Sequence, residues 1–254
     1  ADIVEQADSS KDTGVGYVED MSDSNGHVQL WSNTSSDAAR WPVGWQGQSV
    51  IDAVGFFSSG GCYGGPPCPT NTNSYHVVSS SNGSRTATVC ETPTTQSQGS
   101  NDYYNLMGNP VTAGTACMEN DQQQTSSFPN YTYNWTTTLE AVAWNGAEHD
   151  FASASSTTTG DPLPLGNCYL SPDGSRAICE QQTSNALVVV TSSGSQNNLG
   201  RRYNPLGWID STHLLVEVDS GHLAVLDPDS ASVTTIAMTG ADQMTMPATL
   251  PAQL

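Results

Sequence analysis

"PLGWIDSTHLLVEVDSGHLAVLDPDS", residues 205–230, is the stretch whose reading decides the fold. Leu214, Val216 and Val218 alternate with His213, Leu215 and Glu217, the period of a half-buried strand. Asp219-Ser220-Gly221 supplies a turn, with glycine free to take positive φ. Leu223, Val225 and Asp227 carry a second strand until Asp227-Pro228-Asp229-Ser230 breaks it. The β-branched "SVTTIAM" (232–238) follows as a third.

The preceding segment repeats this plan. "CYLSPDGSRAIC" (168–179) reads as two strands around Pro172-Asp173-Gly174-Ser175, and "ALVVVTSSGSQ" (186–196) as another. Two units of strand, turn and strand therefore occupy 166–204 and 205–240, with 40 residues between Cys168 and Trp208. Weaker copies lie upstream. "PVGWQGQSVIDAVGFF" (42–57) resembles 205–218 and, with "SYHVVSSSNGSRTATVC" (74–90), makes a unit over 42–90 interrupted by "CYGGPPC". "GNPVTAGTACMEN" (108–120) reads as a hairpin opening a unit over 108–148, continued by "NYTYNW" and "TTTLEAVAW". "GVGYVED" (14–20) and "GHVQLW" (26–31) read as middle strands of a unit over 14–41. Gly44-Trp45 and Gly207-Trp208 lie 163 residues apart, close to four periods of about 41.

Short strands, turn residues between them and a period near 40 predict an all-β fold. The expected architecture is a β-propeller filling 1–254 as a single domain, with five to six blades and seven left open. A two-sheet β-sandwich is the alternative, disfavoured because a sandwich needs no repeating unit. No segment carries a 3.6-residue apolar stripe, so helices should be few. "YLSPDGSRAIC" followed by "ALVVVTSSG" resembles the Ser-Pro-Asp-Gly blade motif of TolB-like and related WD-type β-propellers. "LAVLDPDSASVTTI" (223–236) is similar to the same family's third strand, Asp-containing turn and fourth strand. The resemblance covers residues 160–240 and marks blades rather than a chemistry. It implies closure by terminal strands sharing one blade, with 1–31 and "ADQMTMPATLPAQL" (241–254) as the candidate segments.

Six cysteines fit this frame. With Asp173-Gly174 at the turn, Cys168 and Cys179 fall directly opposite each other, within disulfide reach. Cys62 and Cys68 flank a short Tyr-Gly-Gly-Pro-Pro loop that closes on itself, which leaves Cys90 to pair with Cys117. The absence of Cys-x-x-Cys and of any histidine at finger spacing argues against zinc. An even cysteine count with one lysine suits an oxidising compartment. The chain is therefore expected outside the cell or on its surface, its signal peptide already removed.

A net charge of −19, from 6 basic and 25 acidic side chains, opposes nucleic acid and anionic membranes and leaves cationic partners open. No run approaches the ~18 apolar residues of a membrane span. Catalytic signatures are missing as well: there is no Gly-x-Ser-x-Gly elbow and no His-Glu-x-x-His, and the five histidines are scattered. "DMSDSNG" (20–26) fails the calcium-loop template, with Met21 and Ser32 where acids are needed. Catalytic, metal and cofactor sites are thus expected to be none. Asp52, Glu119, Glu140, Glu180 and Glu217 lie in or beside expected strands, and a glycosidase-like pair among them, about 5–10 Å apart, is one alternative.

Six tryptophans, with Tyr103-Tyr104 and Tyr131-x-Tyr133, supply the aromatic surface. Trp45 and Trp208 hold equivalent places in two units and are expected to pack between them. Trp41, Tyr63, Tyr103 and Tyr104 lie in or beside irregular segments and are the candidate ligand- or partner-binding residues. Loops 58–74, 91–107 and 145–165 would carry the contact surface. The expectation is a non-catalytic binding or scaffold module for an extracellular protein partner, standing alone or in a larger chain or complex. A carbohydrate-binding propeller lectin is the other alternative.

Overall fold

The computed structural model describes the backbone of residues 2–8, 13–19, 27–33, 38–61, 67–91, 103–111, 113–126, 129–158, 162–200, 203–218 and 222–236. It describes side chains at 28–31, 40, 42–54, 74–91, 113–126, 129–158, 162–200, 203–218 and 222–236. The described residues are all-β, without a helix, and their strands form five antiparallel sheets.

Sheet 1 contains β1 (Asp2–Asp8), β2 (Thr13–Glu19) and β3 (His27–Asn33). Sheet 2 contains β4 (Ala38–Gln46), β5 (Ser49–Gly61), β6 (Pro67–Ser79) and β7 (Arg85–Val89). Sheet 3 contains β8 (Tyr103–Val111), β9 (Gly114–Gln124), β10 (Tyr133–Ala143) and β11 (Glu148–Ser156). Sheet 4 contains β12 (Leu165–Leu170), β13 (Arg176–Gln181), β14 (Leu187–Thr191) and β15 (Gln196–Asn198). Sheet 5 contains β16 (Asn204–Trp208), β17 (Leu214–Val218), β18 (His222–Asp227) and β19 (Ser232–Thr235). In each sheet, neighbours in space are neighbours in sequence.

Two compact units result. One comprises 1–94 with 103–105 and 144–146 and holds sheets 1 and 2; the other holds sheets 4 and 5 and most of sheet 3. In the first, Leu30 and Trp31 of β3 pack on Val50 and Val78 of sheet 2. There Tyr75 meets Trp144 edge to face, with ring centroids 5.9 Å apart.

The second unit shows how period two builds the stack. On β13 and β14, Ala177, Cys179, Val188 and Val190 face one way and join Met118, Leu139 and Phe151 of sheet 3. Ile178, Leu187 and Val189 face the other way and join Trp208, Leu214, Val216 and Leu226 of sheet 5. Sheet 4 is therefore apolar on both faces. Trp208 adds a polar tie, its Nε1–H donating to the Tyr169 carbonyl at 2.7 Å.

The Cys168–Cys179 register and disulfide are present. The turn between them differs in kind from a two-residue one. Ser171 and Arg176 close a four-residue loop, with Gly174 at φ 71° and the Asp173 carboxylate accepting from Ser171 Oγ, Ser175 N and Ser175 Oγ. Lengthening the loop by one residue on each side leaves the register unchanged. Cys90 and Cys117 each take part in a disulfide. Cys62 lies outside the described residues, as do the side chain of Cys68 and the 241–254 tail.

Polar segments hide some strands from a reading by alternation. Most of the expected 58–74 loop is a hairpin arm, since β5 and β6 stay paired as far as Gly61 opposite Pro67. β11 lies inside the expected 145–165 loop, β8 starts within 91–107, and "NYTYNW" and "TTTLEAVAW" fuse into β10. Thr, Ser and Asn give no apolar period there, yet their backbones pair as well as any.

Candidate functional site

One face of sheet 3 departs from the apolar pattern. β9 places Cys117, Glu119, Asp121 and Gln123 opposite Glu140, Thr138, Thr136 and Asn134 of β10. β11 continues the same face, with Ser155 opposite Thr136, Ser153 opposite Thr138 and Asp150 opposite Glu140. Hydroxyls pair across it: Thr136 Oγ1 with Ser155 Oγ and Thr138 Oγ1 with Ser153 Oγ, each at 3.0 Å. The alternate residues Ala116, Met118, Leu139 and Ala152 are buried towards sheet 4. One side of these strands is core and the other is a polar ladder.

At the inner end of the ladder, Glu140 is only 6% exposed and shares a hydrogen bond with Glu119, diagonal to it across β9 and β10. Its Oε2 is buried without a hydrogen bond. Burial first, then the charges of Glu119, Glu148 and Asp150, raises the Glu140 carboxyl from 4.5 to about 7. A proton retained near neutrality lets one carboxyl donate to the other. This contact is closer than the ~5–10 Å that glycosidase carboxylates keep across a scissile bond. At the outer end, Asp121, Gln123, Asn134, Thr136 and Ser155 line an open cleft of about 560 Å³.

Of the five candidate carboxylates, Glu119 and Glu140 are brought together. Glu217 accepts from Asn204 Nδ2 at 3.0 Å, and Glu180 lies opposite Leu187 on sheet 4. Asp52 belongs to the other unit. It is fully buried and opposite His76, and Arg40 reaches its Oδ2 with Nε at 2.7 Å and Nη2 at 2.6 Å. Both donors share one oxygen, so Oδ1 is left without a hydrogen bond. Desolvation outweighs Arg40 and raises Asp52 to about 6. The Arg40 guanidinium also lies 5.2 Å from the Trp31 ring centroid. His76, to which Arg85 Nη1 donates at 3.4 Å, is lowered to about 4 by burial and then by Arg40 and Arg85.

Other aspartates are turn ligands. Asp210 accepts from Thr212 N, Thr212 Oγ1 and His213 N, and Asp227 from Asp229 N and Ser230 Oγ. Among the described residues no group of three His, Cys, Asp or Glu is placed to hold a metal.

The aromatic candidates fall at the margins of the description. Trp41 lies in β4 opposite Ala53, Tyr103 and Tyr104 begin β8, and the side chains of all three lie outside the described residues, as does Tyr63. Trp45 and Trp208 are equivalent in register, each following a bulge near the end of a first strand, but not in burial. Trp208 is 5% exposed under sheet 4, whereas Trp45 is 42% exposed beside the Gly47 turn. Tyr131, 52% exposed ahead of β10, is a surface aromatic that the repeat pattern did not single out. Its place just after Pro129-Asn130 was the available signal. No protein-family model matches the chain, and no curated protein shows significant similarity to it.

Proposed function

We propose that the chain is a β-propeller that serves outside the cell as a non-catalytic binding module for a protein partner. The supporting observation is sheet 4, a four-stranded meander buried on both faces between sheets 3 and 5. A two-sheet sandwich buries one face of each sheet, whereas blades stacked around an axis bury both. The Ser-Pro-Asp-Gly loop at 171–174, built as a self-capped turn, agrees with the TolB-like resemblance. Disulfides fit an oxidising compartment, and among the described residues no helix is long and apolar enough to cross a membrane. Asp173, Asp210 and Asp227 are turn ligands, Asp52 and Asp229 ion-pair partners, and Glu119 and Glu140 a hydrogen-bonded pair. Exposed Trp45 and Tyr131 supply anchors suited to a protein surface.

A crystal structure of the chain should show sheets radiating from one axis; a two-layer arrangement would sink the architecture. Affinity capture from native secreted material should return a stoichiometric protein. Turnover of aryl glycosides, abolished in Glu140→Gln, would instead identify an enzyme.

A further inference from the structure

We propose that the outer half of sheet 3 binds a neutral oligosaccharide, whose sugar rings stack on Tyr133 and Trp135. The site goes beyond the protein-partner reading and does not rest on it. β9 and β10 are each 11 residues long, whereas β12, β13 and β14 of the neighbouring sheet have 6, 6 and 5. At about 3.4 Å per residue, sheet 3 outruns sheet 4 by roughly 17 Å. The core that the two sheets share takes Ala116, Met118, Leu139 and Ala152 from this face of sheet 3. Thr137, the next residue outward on the same face of β10, is 1% exposed. Its Oγ1 donates to Asn120 Oδ1 of β9 at 3.0 Å, and this polar bridge ends the core.

Beyond the bridge the same face turns aromatic. Trp135 stands opposite Gln122 of β9 and Tyr133 opposite Gln124. Both rings are half-buried, and neither belongs to the core shared with sheet 4. Their centroids lie 6.1 Å apart, and their planes are tilted by 49°. Among the described residues, Trp135 Nε1, Tyr133 Oη and the Gln122 amide form no hydrogen bond.

The chemistry of this face selects the occupant. From Asn120 outward, β9, β10 and β11 place amides, hydroxyls and the two rings on it, and no charged side chain. A charged ligand therefore finds no counter-charge there. A pyranose with equatorial hydroxyls presents a C–H face to an aromatic ring, and its hydroxyls both donate and accept. An amide side chain answers such a rim with donor and acceptor in one group. A proline-rich segment offers chiefly carbonyl acceptors and leaves the amide oxygens unanswered. The ring-to-ring step is comparable with that between successive sugars of an extended chain. The tilt suits one chain that turns between its rings rather than a flat crystalline surface.

The test is titration of the full chain with cellotetraose and with laminaritetraose, followed by tryptophan fluorescence and calorimetry. Saturable binding of at least one is expected. Trp135→Ala should weaken it by about 10-fold or more, as loss of an aromatic anchor does. Trp135→Phe keeps a ring and should lose less. Gln122→Ala removes an amide outside the core and should weaken binding by roughly 3- to 10-fold. Gln196→Ala, which removes an exposed amide from β15, should change it less than about twofold. Circular dichroism should show the variants folded; if Trp135→Ala unfolds, Trp135→Phe and Gln122→Ala decide the matter. Failure of both sugars to bind overturns the proposal, as does binding indifferent to Trp135 and Gln122. So does an octaproline peptide that binds more tightly than either sugar through the same residues. Loss of the sugar site leaves the protein-partner reading intact, because capture of a secreted protein is read without sugar. Sugar binding with no captured protein would keep this site and remove that reading.

Discussion

Glu140 illustrates how a single buried carboxyl sets a pH dependence. Its folded value of about 7 lies above the ordinary 4.5, so between these values the folded state holds a proton that the unfolded state has released. Stability therefore falls as pH rises through that window, by up to about 1.4 kcal/mol per pH unit, and levels off above it. Glu140→Gln should flatten the slope and raise the melting temperature at pH 8, as read by thermal melts from pH 4.5 to 8. A wild-type-like slope in the variant would assign the effect elsewhere. In the other unit the signs oppose. Asp52, raised from 3.8 to about 6, loses stability with rising pH, while His76, lowered from 6.5 to about 4, gains it. Between about pH 4 and 6 the two offset each other. Arg40→Met strands Asp52 without its cation and should cost about 3–5 kcal/mol at pH 8, less at pH 5 where Asp52 can protonate. Denaturant melts of that variant and of Arg40→Met/Asp52→Leu, which should recover most of the loss, test this.

At the scale of elements, turns and close approaches determine which substitutions are tolerated. Gly83, between β6 and β7 at φ +69°, would put a Cβ 2.1 Å from the Gln29 carbonyl oxygen of β3. Gly47, between β4 and β5 at φ +56°, has open space around its Cβ position. Gly83→Ala should cost roughly 3 kcal/mol, from backbone strain plus displacement of β3, and Gly47→Ala only about 1 kcal/mol. Urea unfolding of the two variants side by side separates strain from crowding, and equal losses would refute the close approach. The Arg176–Asp229 pair also joins two turns, at 2.8 Å, but Asp229 is 64% exposed and solvent screens the contact.

In the molecule as a whole, burial of both faces makes the sheets of one unit depend on each other. A chain ending at Gly200 lacks sheet 5 and exposes Ile178, Leu187 and Val189. It should aggregate when produced, because an apolar face of that kind has no other cover within its unit. Recovery of a soluble, cooperatively melting truncated chain would show that sheet 5 is not an integral layer.

Much of this protein was legible in its residues. The β3, β13, β14, β17 and β18 strands follow from β-branched and alternating stretches bounded by Gly, Asp and Pro turns. The Cys168–Cys179 bridge follows from the register of one hairpin. These are local properties, fixed by backbone preference and a period of two. Tertiary structure decided what depends on neighbours distant in sequence. Ile178 and Val189 do not show in their own strands that a second face is covered, because sheet 5 supplies the cover. Trp45 and Trp208 share a motif but differ in exposure, since only Trp208 meets a carbonyl of the adjoining sheet. Glu119 and Glu140 lie 21 residues apart, among 25 acidic side chains. Their meeting depends on the β9–β10 register and on burial, and it is burial that turns two ordinary carboxylates into a pair that shares a proton.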